Sequence, residues 1–103
     1  ANNTSFLNIA KSNLTSSFDG HWVKKGEGWL HQIVVNQISG SFTVDLYDGT
    51  YITSSVQQSS KIGTVKMSDA AVGEEFVYTL PFKTGLVVVA NPTGSYDFTV
   101  VYE

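Results

Sequence analysis

Tyr96-Asp97-Phe98-Thr99-Val100-Val101-Tyr102 decides the fold class. Tyr96, Phe98, Val100 and Tyr102 alternate with Asp97, Thr99 and Val101, a period of two built from aromatic and β-branched residues. One face of such a segment goes to a core and the other to solvent, which a half-buried strand requires and a helix cannot supply. Phe42, Val44 and Leu46 alternate with Thr43, Asp45 and Tyr47 in the same way and run into Asp48-Gly49, a hairpin signal. Thr50-Tyr51-Ile52-Thr53 then reads as the returning strand.

Working outward, the same grammar recurs. Leu30 to Ile38 holds Ile33-Val34-Val35 and breaks near Ser39-Gly40. Lys61 to Met67 is a short run with Gly63 as a bulge candidate, and Phe76 to Leu80 alternates until Pro81, which confines that segment to an edge or a strand end. Leu86-Val87-Val88-Val89 is continuously apolar and reads as buried on both faces. Asn91-Pro92-Thr93-Gly94 is a turn, and Phe6 to Ile9 and Phe18 to Val23 each add a short strand. Val56 to Ser60 reads as an exposed loop, and Asp69 to Glu75 offers at most one helical turn. Seven to eight short strands spaced by turns predict an all-β, single antiparallel β-sandwich over residues 1–103, either jelly-roll or immunoglobulin-like. Residues 1–17 are the most polar and least patterned part, and read as an N-terminal arm or an edge strand.

Composition narrows function by exclusion. The chain has 103 residues, 42% of them hydrophobic and only 15% charged, which argues against disorder and leaves a neutral polar surface. Its basic residues are six scattered lysines with no arginine, so the forked donors that read phosphates and base edges are missing. Nucleic acid is therefore not an expected partner. There is no cysteine, and no apolar run approaches the ~18 residues of a membrane span, so no membrane partner is expected. An initial Ala without a hydrophobic leader fits a chain made in the cytoplasm after loss of its start Met, and a processed secreted chain would look similar.

Candidate chemistry is sparse. His21 and His31 lie on different elements, and no Gly-x-Ser-x-Gly elbow places a base beside a nucleophile. Asp45 reads as the outward partner of a core strand and Asp48 as turn chemistry. No oxygen cage for a cation is legible, so no metal, no cofactor and no enzymatic activity are expected. Aromatic residues are the better lead. Trp22 and Trp29 bracket Lys24-Lys25-Gly26-Glu27-Gly28, where an exposed Trp suits an interface anchor or a sugar-stacking platform and a buried one caps the core. Phe6, Leu7, Ile9 and Leu14 give the N-terminal segment apolar contacts with which to add a strand to a neighbour.

The order of four elements carries a resemblance. Gly28-Trp29-Leu30-His31-Gln32-Ile33-Val34-Val35-Asn36 is followed by Thr43-Val44-Asp45-Leu46-Tyr47-Asp48, then Phe82-Lys83-Thr84-Gly85-Leu86-Val87-Val88, then the closing Tyr96 to Tyr102 run. In this order they resemble the small β-sandwich structural proteins of tailed bacteriophages, in the capsid decoration or auxiliary capsid class. The resemblance spans about three-quarters of the chain and leaves residues 1–27 without a counterpart. It implies a virion protein, made in the host cytoplasm, that binds the major capsid protein and self-associates as a homo-oligomer, with a trimer as one option. The competing expectation is a receptor- or glycan-binding module of a tail or fibre, stacking sugars on Trp22, Trp29, Tyr47 or Tyr51.

Overall fold

The alternating segments all become strands. The computed structural model describes residues 4–14, 19–39, 42–49, 61–67, 75–91 and 94–103. Within them lie β1 (Ser5–Leu14), β2 (Asp19–Lys25), β3 (Gly28–Ser39), β4 (Phe42–Asp48), β5 (Lys61–Met67), β6 (Glu75–Phe82), β7 (Gly85–Asn91) and β8 (Gly94–Tyr102), with no helix among the described residues. Two antiparallel four-stranded sheets pack face to face. One runs β1-β8-β3-β6 (the β8 sheet), the other β2-β7-β4-β5 (the β7 sheet).

This order settles the topology left open by pattern. β1 pairs with β8, β2 with β7, β3 with β6 and β4 with β5, so the chain forms one long antiparallel ribbon doubled back on itself. The ribbon then rolls up, and β3·β8 and β4·β7 contacts stitch the turns of the roll into sheets. That is a jelly roll. An immunoglobulin-like sandwich would keep its first two strands in one sheet, whereas β1 and β2 lie in different ones.

The core is the expected inward row of each strand. Ile9, Leu30, Ile33, Val35, Leu46, Leu86, Val88, Phe98 and Val100 meet in one cluster, with Leu7, Phe76 and Tyr102 packed against it. At about 25 cal/mol per Å² of apolar surface, this burial is the main force holding the sheets together. Pro81 lies on β6, an edge strand, as its missing N–H demands. Beside Gly63 the β4–β5 register slips by one residue, a bulge that the glycine permits. The readings of residues 50–53, 56–60 and 69–74 fall outside the described residues, and the described neighbours of β4 are β7 and β5.

Of residues 1–17, the described part is the edge strand β1, in unbroken register with β8 from Ser5↔Tyr102 to Lys11↔Tyr96. Of the two alternatives, arm or edge strand, β1 takes the second. Ile9 is buried in the core and the half-buried Leu7 packs against it, so both side chains already serve the core of their own sandwich. Phe6 faces the other way and is 69% exposed. Leu14 resumes the pairing opposite Gly94 after a bulge, and its side chain lies outside those described.

Candidate functional site

The Lys24-to-Gly28 segment is a corner at which the ribbon passes from one sheet to the other. The β2–β3 link and the β6–β7 link both cross between the sheets here, and they are joined by the Gly26 N–H donating to the Thr84 carbonyl at 2.9 Å. Gly26 takes a left-handed φ of 87°, a conformation that costs glycine least.

Asp48 clasps this corner. Its carboxylate accepts the backbone N–H groups of Lys83 (2.9 Å), Thr84 (2.8 Å) and Gly85 (3.3 Å), and the next residue returns a bond from the Gly49 N–H to the Gly85 carbonyl at 3.0 Å. Burial alone would push the Asp48 carboxyl up. The three N–H donors and the nearby Lys83 charge outweigh it and hold the group below its ordinary 3.8. Read from sequence as local turn chemistry, Asp48 instead pins a crossing 35 residues away in the chain.

The two tryptophans sit on opposite outer faces beside this corner. Trp22 is on β2, in register with Val87 of the β7 sheet, and is 37% exposed. Its indole Nε1 lies so close to Gly85 that a Cβ there would meet it at 2.7 Å, while the Lys25 ammonium stands 4.9 Å above the ring. Trp29 is on β3, paired with Pro81 in the β8 sheet, and is 42% exposed. Thus both rings are partly exposed, and each serves a different sheet.

Trp29 borders an open groove of about 520 Å³ whose rim carries Lys24, Glu27, Pro81, Lys83 and Glu103. Glu103 is fixed there twice: its backbone exchanges hydrogen bonds with Trp29 at 2.9 Å, and its carboxylate meets His31 Nε2 at 2.9 Å. The groove therefore offers an aromatic wall with two carboxylates and two ammonium groups around it. Such a set can stack a ring and hydrogen-bond its substituents.

The outer face of the β8 sheet is the second feature. Phe6, Val101, Gln32 and Val77 form one cross-strand row over all four strands. Phe6 and Val77 stand at its two ends, and Val77 is 73% exposed. The next outward row is polar. Asn8 and Asn36 both donate their side-chain amides to Asp97 (2.6 and 3.1 Å) and to the Thr99 hydroxyl (3.3 and 3.1 Å), tying β1, β8 and β3 together. Sequence reasoning missed Val77, although its place in the Phe76–Leu80 alternation marks it as outward.

Other sequence candidates are placed elsewhere. Tyr47 is almost fully buried with Val87 and Val89, which removes it as a stacking face, and Tyr51 lies outside the described residues. Asp45 points outward as read, paired with Lys61 at 3.2 Å and accepting from Thr64 at 3.0 Å. Among the described residues no three His, Asp or Glu side chains gather as a metal site, and no helix is long and apolar enough to cross a membrane. The chain has no significant match among protein-family models, curated proteins or solved structures.

Proposed function

We propose that the chain is a structural protein of a phage virion that binds the capsid surface as a decoration protein, with the major capsid protein as its partner. The observation that carries this reading is the outward row Phe6–Val101–Gln32–Val77, which puts exposed apolar side chains at both edges of a rigid sheet. A sparsely charged face with apolar anchors and polar neighbours has the make-up of an interface. Repeated copies on a lattice would multiply a modest affinity. The jelly roll supports the reading only loosely, since capsid and lectin domains both use it. The ordered resemblance from Gly28 to Tyr102 supplies the rest, because its four elements are the strands that frame the roll. The reading involves no chemical step and no cofactor. Purified protein mixed with undecorated capsids should co-sediment, and a Phe6→Ser/Val77→Ser variant should do so much less. Failure of the unsubstituted protein to sediment with capsids would sink the proposal.

The Trp29 groove favours a second reading, a glycan-binding module of a tail or fibre. Trp29 would stack on a sugar ring while Glu27, Glu103 and the lysines bond its hydroxyls. Here Trp29→Ala should abolish retention on the host's surface glycan and leave capsid binding untouched. Equal retention of both proteins would exclude this use of the groove.

A further inference from the structure

Among the described residues four strands end the two sheets, and three of their edges carry features that discourage pairing. β2 has Lys24, Lys25 and a bulge after Trp22, β5 has Lys61, Lys66 and a bulge beside Gly63, and β6 has Pro81. Lysines, bulges and proline are the devices by which sheet edges avoid adding a strand. β1 has none of them over its regular stretch. From Ser5 to Lys11 it runs without bulge or proline, and its single charge is Lys11 at the far end.

We propose that the open edge of β1 is a homodimer interface, in which β1 pairs antiparallel with β1 of a second copy across a two-fold axis. This goes beyond capsid binding and does not depend on it.

The register follows from side-chain parity. Opposed residues of an antiparallel pair point to the same face, so inward Leu7 and Ile9 must meet inward residues and outward Phe6, Asn8 and Ala10 outward ones. A two-fold axis through Asn8 satisfies this and overlaps the whole regular stretch. It sets Leu7 against Ile9 of the second copy on the core side, which extends the core across the interface. On the outer side it sets Phe6 against Ala10, a large ring over a small methyl. Ser5 then meets Lys11, and no like charges face each other. An axis through Leu7 would oppose Phe6 to Asn8 and Ser5 to Ile9, and one through Ile9 would oppose Leu7 to Lys11. Both waste apolar contacts that the Asn8 axis makes. Asn8 itself is compatible with the centre, because its amide is already held by Asp97, Phe98 and Thr99 within its own sheet. The exposed Phe6 ring gains a cover that the single chain does not provide.

Sedimentation equilibrium of the purified full chain, without capsids, tests this from micromolar to millimolar concentration. The unsubstituted protein should show a monomer–dimer equilibrium. A Phe6→Lys/Ala10→Lys variant opposes lysines at two symmetric places and should weaken dimerisation by roughly tenfold or more. Phe6→Glu/Ala10→Lys places opposite charges at the same two places and should restore it. Both positions are exposed, so each variant should melt like the unsubstituted protein at concentrations where the latter is monomeric. A strictly monomeric or trimeric parent protein would overturn the proposal. So would an undiminished dimer in the double-lysine variant, or a monomer in the Glu/Lys variant. Capsid binding can fail without touching any of these results.

Discussion

β7 and β8 follow each other in the chain and hold equivalent places, each between two neighbours in its own sheet. Yet β7 is buried on both faces along its length, whereas on the outer face of β8 only Val101 is buried. Leu86, Val88 and Ala90 enter the main core, while Val87 and Val89 join Tyr47 in a second small cluster on the far side of the same sheet. β8 sends Tyr96, Phe98 and Val100 inward and turns Asp97 and Thr99 out into the amide ladder with Asn8 and Asn36. The outer face of the β7 sheet is thus committed to stability at Val87 and Val89. That of the β8 sheet is left open, with Phe6 and Val77 on it. An open face on a rigid sheet is what a partner can use, which is why both the capsid reading and the dimer draw on the β8 sheet.

Substitutions can break this contrast or sharpen it. The largest effect is expected where both strands serve the common core. Phe98→Ala should lower unfolding free energy by about 4 kcal/mol, since the space behind a fully buried ring cannot close. Chemical denaturation measures it, and a loss below about 1 kcal/mol would contradict the packing. The outer faces should then differ. Val87→Ala should cost about 2 kcal/mol although Val87 points away from the main core, whereas Val77→Ala, equally outward on the other sheet, should change stability by less than about 0.5 kcal/mol. Equal losses at the two sites would erase the distinction between a committed face and an open one.

A modest, pH-dependent effect concerns the corner that joins the sheets. Asp48→Asn keeps the shape but removes the charge that draws in three N–H groups, and should cost about 1 kcal/mol at neutral pH. The folded state favours the ionised carboxylate, so as pH falls the unfolded chain takes up the proton first. The stabilisation is complete above the ordinary 3.8 and is lost as pH drops below it toward the lower folded value. The gap between Asp48 and its Asn variant should therefore close on acidification, which denaturation series at several pH values would reveal.

Much of this was legible residue by residue. Strand placement at β3, β4, β7 and β8 follows from alternation, the double burial of β7 from its unbroken apolar run, and the edge position of β6 from Pro81. Two kinds of feature were not legible. The first is the role of Ile9 and Leu7. In sequence they sit in a polar segment that reads as an arm or an edge strand, and only the β8 partner, some ninety residues away, gives them a core to enter. The second is Asp48, whose three donors come from a link that local sequence cannot bring near. The candidate site was half legible: Trp29 was singled out, but its groove needs Pro81, Lys83 and Glu103 from distant segments.

By itself, then, the sequence determined an all-β sandwich, the inward and outward residues of its central strands, and the edge that could hold a proline. These depend on a period of two, which is a property of consecutive residues. Tertiary structure alone decided that the sandwich is a jelly roll, that β1 pairs with β8, and that Phe6 and Val77 share one row while the tryptophans part to opposite faces. Each of those depends on which strand lies beside which. In a doubled ribbon nearly every such pairing joins residues far apart in the chain, so no local pattern encodes it.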